Sequence, residues 1–362
     1  MRRVAPAILL FFLAPLVAEF LLGDFTVEYL FALVLLAPMY GGGAILIREV
    51  TRRTGRGWPS IVLLALAYGV FEEGITTQSL FDPDYAHAHL LDRGFVPALG
   101  IAVPWTLFVL TLHTVWSISV PIALVEGLTV KRRTTPWLRA PGLVVAAVLF
   151  GVGSVATVAT SYATDHFLAP WPALAVVVIV VVALAVVALR LPPVPGQAAP
   201  AGGAGAVGAG GAGGAGGAGG VSAGATRAGG VAAPAAWVPF VAALAAGAAF
   251  MLARELPTAA GLPLLIAAIA AVPVAVRAWS RRTGWGAPHR LALAGGALLT
   301  YAWHGFLTHP IEGDGPVVTP VSHVVFALAA LGLLALELRA LRAPADRAVE
   351  PVHAPDPAAV TP

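Results

Sequence analysis

Ten apolar runs, each close to the roughly 20 residues that a helix needs to cross a hydrocarbon core, constrain this chain more than any other feature. They fall at residues 4–22, 27–47, 59–80, 98–128, 143–164, 172–191, 236–252, 259–277, 291–308 and 319–338. The fourth run is long enough to tilt or to extend into the interface. The balance of residue types agrees: 59% are hydrophobic and only 11% charged, against about 25% charged in soluble domains. That leaves too little polar surface to coat a water-soluble fold, so lipid is the solvent the remaining surface fits. The expected fold class is all-α, a polytopic transmembrane helix bundle of about ten spans.

The basic residues supply an independent check. With the N-terminus inside, the inner segments hold 19 of the 21 Lys and Arg residues, and the outer side holds only Arg93 and Arg254. Cytoplasmic loops collect Lys and Arg, and a missed or invented span would flip every later loop. The asymmetry therefore supports an even count with both termini cytoplasmic. The first run follows a basic start, as in a signal peptide, but lacks a small-residue cleavage site and continues past Glu19; it reads as an uncleaved span. One lysine among 21 basic residues, with abundant Ala and Gly, suggests a GC-rich bacterial genome and a plasma-membrane location. The scattered basic residues do not form the one-sided patch of a nucleic-acid interface. With no cysteine, disulfides, thiolate metal sites and Cys nucleophiles are excluded.

Residues 192–235 are Gly- and Ala-rich with one charge, Arg227, and read as a flexible cytoplasmic linker. It divides a six-span half (1–191) from a four-span half (236–341). Residues 342–362 read as a disordered cytoplasmic tail. RRTGRGWP at 52–59 and RRTGWGAP at 281–288 echo each other on two inner loops. Two basic turns of independent origin explain this better than a parallel repeat, because the flanking helices are not alike.

Ionisable groups at membrane depth are costly and mark function by default. Glu72 and Glu73 lie just beyond the midplane of the third span, and His113 lies near the midplane of the fourth. Glu19, His304 and His323 fall on the same outer side. Adjacent helical residues diverge by about 100°, so one glutamate can face a cavity while the other binds a neighbouring helix. Two such carboxylates suit acid–base work or proton relay; the blander reading is a polar clamp satisfied by Thr76 and Thr77. The glycines of PMYGGG at 38–43 permit either close helix packing, which is favoured, or local unwinding. Asp82, Asp84, His87, His89 and Asp92 in the following outer loop have cation-binding spacings, although a solvated loop explains them better. No nucleotide-binding or zinc-protease motif is present.

Glu72-Glu73 followed by His residues on later helices resembles the CAAX protease and bacteriocin-processing family, whose pattern reads EExxxR, FxxxH and a later His. Thr77 stands in the Arg position and Val109 in the Phe position; His304 or His323 would be the later His. The resemblance implies a glutamate-activated water attacking a peptide carbonyl within the membrane, with His113 and a later His binding the water, a metal or the oxyanion. The chain as a whole also resembles uncharacterised multi-span proteins of GC-rich bacteria. Catalytic candidates are thus Glu72, Glu73, His113 and His304, with Glu19 and His323 as further polar membrane residues. Neither a cofactor nor a metal is specified. The lipid bilayer is the expected partner, with a small solute or a membrane peptide as the substrate class. Three roles stay open: hydrolase, proton-coupled carrier of a small solute, or non-catalytic membrane component.

Overall fold

Each of the ten expected spans is a helix in the computed structural model, which describes residues 4–194 and 231–342. Most of the expected linker, the expected tail, and Arg2 and Arg3 lie outside the described residues. The helices are α1 (Ala5–Leu21), α2 (Ala32–Arg53), α3 (Trp58–Thr76), α4 (Val103–Leu128), α5 (Ala140–Asp165), α6 (Trp171–Arg190), α7 (Trp237–Glu255), α8 (Thr258–Trp279), α9 (Ala287–His304) and α10 (Val318–Arg342). Eight of them are long and apolar enough to cross a membrane; α1 is shorter, and α9 is not among the eight. Prolines sit in the first turn of most helices, where a missing N–H costs nothing. A two-stranded hairpin, Phe95–Val96 with Ile101–Ala102, interrupts the loop between α3 and α4.

One apolar core runs through both halves of the chain, drawing on α1 to α4, on α7 to α10 and, through Ala146 and Phe150, on one face of α5. Trp116 on α4 stacks on Tyr301 of α9 at 4.7 Å between ring centroids and donates its indole N–H to the Ala297 carbonyl. Phe108 stacks on Phe250 of α7 at 4.7 Å. In contrast, α5 and α6 expose runs of valine such as Val144, Val148, Val152, Val178 and Val182. Such a surface suits lipid tails rather than water.

The loops sort into two ends. At one end Ile311 N–H bonds the Asp24 carbonyl, Ala86 N–H bonds Asp165 and Arg93 bonds the Arg254 carbonyl. At the other end Val194 N–H bonds the Gly55 carbonyl and Arg48 reaches the carbonyls of Arg132 and Arg133. Every one of these pairs joins loops expected on the same side.

The glycines of PMYGGG do not break α2. A side chain at Gly41 would meet the Phe11 backbone of α1, one at Gly42 the Phe150 backbone of α5, and one at Gly43 the Tyr68 ring of α3. Three bare backbone faces thus admit three neighbours, the favoured packing role. The two RRTG segments share one local device. Gly55 and Gly284 both take positive φ (67° and 85°); Gly55 is the left-handed residue just past the end of α2, whereas Gly284 lies in the loop five residues beyond the end of α8. They differ further, since Arg52 is buried and Arg281 exposed.

Candidate functional site

Three π-helical turns bring the candidate acids and histidine together. Glu72–Thr76 ends α3 as a π-turn, His113–Ser119 forms one inside α4, and Leu16–Leu21, which contains Glu19, ends α1. Such turns are rare and concentrate at functional sites. Local sequence supports each of them. Pro15 and Pro121 lack the N–H that would bond Phe11 and Ser117 four residues back, so the regular ladder is interrupted there. In α3 the Thr77 amide and the Thr76 and Thr77 hydroxyls all donate to the Glu72 carbonyl. Gln78 then leaves the helix at φ 59°, a strained conformation for a residue with a Cβ, held by its side-chain carbonyl accepting from Ala169 N–H at 2.7 Å.

His113 sits between the two glutamates. Its Nε2 lies 2.6 Å from Glu73 Oε1 and its Nδ1 lies 2.9 Å from Glu72 Oε2. The Nδ1 hydrogen-bonding direction is taken by Ser117 Oγ at 3.0 Å, so Glu72 makes a charge contact rather than an aligned hydrogen bond. The second oxygen of Glu73 accepts from Thr77 Oγ1 at 3.1 Å and from the Ser79 hydroxyl. Trp105 in turn donates to Ser79 Oγ at 3.2 Å. Gly69 leaves room for the imidazole, since a Cβ there would stand 3.2 Å from that of His113. Glu72, Glu73 and His113 are 1%, 5% and 5% exposed.

Tyrosines extend the cluster towards α1. The Tyr40 hydroxyl donates to Glu19, and the Tyr40 and Tyr68 rings stand 6.2 and 6.3 Å from the His113 ring. The Tyr68 hydroxyl is buried beside Glu72. One ligand atom each from Glu72, Glu73 and His113 lies within 4.8 Å of the others. Two carboxylate oxygens and an imidazole nitrogen form a set that Zn²⁺ or Mn²⁺ accepts.

The other candidates are placed elsewhere. His304 bonds Thr308 at 3.2 Å, and the charges acting on it are Glu255 and Arg254. His323 packs edge-on against Phe306 at 5.5 Å. Depth in the membrane, the property they share with Glu72, sets no direction around the bundle. In the outer loop, Asp82 caps the Asp84 amide at 3.0 Å, and His87 and His89 are exposed. Among the described residues, the loop supplies no set of three carboxylates and imidazoles close enough to share an ion.

A second charged cluster, not anticipated from sequence, lies at the opposite end. Arg48 pairs with Glu49 at 2.6 Å and with Glu126 at 3.1 Å, while Arg52 grips both oxygens of Glu126 at 2.6 and 2.8 Å. Glu49 also accepts the Trp137 and Leu138 amides, and the Arg48 guanidinium stacks 3.5 Å over Trp137. The signal available was Glu49 and Glu126, acids at the end where the sidedness rule leads one to expect bases.

Residues 8–349 match the pattern of an uncharacterised membrane protein family. The chain belongs to that family. The match spans both halves and fits a multi-pass membrane protein; it lends nothing to the protease resemblance. No curated protein and no solved structure matches the chain.

Proposed function

We propose that the family member described here is a proton-handling membrane protein, in which the Glu72–His113–Glu73 unit passes protons and couples their movement to the passage of a small solute. The observation that carries this reading is the imidazole with a carboxylate at each ring nitrogen, 2.9 and 2.6 Å away. A proton accepted at Nε2 from Glu73 can leave from Nδ1 through the Ser117 hydroxyl, which holds that direction, with Glu72 beside the same nitrogen. The Tyr40–Glu19 pair extends the titratable chain towards the end of α1. The near-complete burial of the unit suits relay, which needs only protons to reach it.

A hydrolase is the second reading. It is favoured by the contact between Glu73 and His113, the residues that match two motifs of the protease pattern. Against it, Thr77 in the Arg position is spent on Glu73, and His304 and His323 stand away from the site, so neither later histidine supplies a second group to hold an oxyanion.

The deciding experiment is proton flux into proteoliposomes containing the full chain, followed with an internal pH-sensitive dye under an imposed gradient. Flux above protein-free vesicles, reduced at least tenfold by Glu72→Gln with Glu73→Gln or by His113→Ala, is expected. Background flux from the wild-type protein would defeat the relay reading.

A further inference from the structure

The positively charged end of the bundle contains a cavity of about 260 Å³ between α3, α4, α9 and α10. Its lining includes Arg52, Glu126, Arg133, Arg290 and Glu337 alongside Trp58. Glu126 is occupied by Arg48 and Arg52, and Glu49 by Arg48 and Arg53. Among the described residues, no carboxylate forms a salt bridge with the Arg133 or Arg290 guanidinium; Arg133 and Arg52 act on Arg290 as like charges, and Glu126, already held by Arg48 and Arg52, attracts it from further off. With Arg48, Arg52 and Arg53 matched to Glu49 and Glu126, Arg133 and Arg290 are two lining guanidiniums that hold no carboxylate in a salt bridge among the described residues. Glu337 is the complement. It is 1% exposed, its Oε1 has no hydrogen-bond partner, and it reaches α4 where Gly127 has no side chain to block it. A buried acceptor left unmatched is costly unless something donates to it. Two unmatched guanidiniums and one unmatched carboxylate in the same cavity describe a ligand that carries an anion and a donor together.

From this we infer that the cavity binds a phosphate group bearing a nearby amine, with Arg133 and Arg290 on the phosphate oxygens and Glu337 on the ammonium. Guanidinium forks match phosphate geometry. Phosphoethanolamine is the chemistry in question, reaching the cavity either as an inner-leaflet lipid headgroup or as a free phosphorylated amine. This site is separate from the Glu–His unit and does not depend on its role.

The test uses the full chain purified in detergent, with binding of short-chain phosphatidylethanolamine, short-chain phosphatidylglycerol and free phosphoethanolamine measured by native mass spectrometry and calorimetry. The wild-type protein is expected to bind the ethanolamine lipid at least tenfold more tightly than the glycerol lipid. Arg133→Gln with Arg290→Gln should weaken that binding at least tenfold. Glu337→Gln should erase the preference between the two lipids while leaving phosphate binding in place. Competition by free phosphoethanolamine at millimolar concentration would identify a soluble ligand; its failure to compete would identify the lipid. The inference is overturned if neither ligand binds, or if the double arginine variant binds as the wild type does. Because both arginines are part-exposed, this variant is expected to keep the wild-type melting temperature. Should it unfold, Arg290→Lys, which keeps the charge but loses the fork, must weaken binding for the inference to stand.

Discussion

At Glu73 one carboxylate is engaged on both oxygens, by an imidazole on one side and two hydroxyls on the other. The sequence made the two glutamates and His113 legible, because charge at membrane depth is rare enough to stand out. It did not reveal Tyr40, Tyr68, Ser79 or Trp105. Aromatic and hydroxyl side chains are common in apolar helices, and only their orientation gives them a role. Depth alone likewise grouped His304 and His323 with the glutamates, and the helix faces separated them. Asp82, on the loop that follows the site, supports a prediction at this scale. Burial pushes its carboxyl above the ordinary carboxylate range. A raised value in the folded state means that the folded protein holds the proton more tightly, so stability is lost as pH rises through that value. Asp82→Asn keeps an acceptor for the Asp84 amide and removes the charge. The variant should melt at a modestly higher temperature than the wild type at pH 7–8, and at the same temperature below about pH 4. A lower melting temperature at neutral pH would show that the carboxylate is stabilised by something other than the Asp84 amide.

All ten helices were readable, with ends displaced by a few residues, because apolar length is a strong signal. The π-turns were not, because a turn with one extra residue leaves composition and periodicity almost unchanged. Yet the prolines that interrupt the ladder are visible, and Pro121 offers a direct test. Pro121→Ala restores a donor for the Ser117 carbonyl and allows α4 to run as a regular helix. Removing one residue from the turn count rotates the preceding segment by about 100°, which swings His113 away from the glutamates. Proton flux should fall at least tenfold while the protein remains folded and inserted; unchanged flux would mean that the π-turn does not depend on this proline. The opposite end of the bundle is held by charge. Glu126→Gln leaves Arg48 and Arg52 without their shared carboxylate, and breaking a buried pair from one side costs about 3–5 kcal/mol. A large fall in detergent melting temperature is expected, with Glu126→Asp intermediate. A negligible change would mean that the carbonyls of Arg132 and Arg133 suffice to hold Arg48.

At the scale of the molecule, the sidedness read from arginine counts and the contacts between loops are independent lines that agree. The first depends on which loops carry charge, the second on which loops touch. The loop contacts 24–311, 86–165 and 93–254 join segments expected outside, and 55–194 and 48–133 join segments expected inside. One mistaken span among α2 to α9 would put at least one of these pairs, 24–311, on opposite faces of the bilayer. The absence of cysteine makes orientation directly measurable, since any single cysteine introduced is the only thiol in the chain. Ala88, Pro316, Thr135 and Arg281 are all exposed and sample both halves. On intact cells, a membrane-impermeant maleimide should label Ala88→Cys and Pro316→Cys, and should label Thr135→Cys and Arg281→Cys only after permeabilisation. The reverse pattern would invert the whole molecule and place the arginine-rich cavity outside, beyond the reach of an inner-leaflet headgroup. Labelling of Pro316→Cys and Arg281→Cys from the same side would remove α9 as a span. That outcome would be informative in itself, because α9, with Arg290 and His289 in its first turns, is the long helix whose apolar length argues least for crossing.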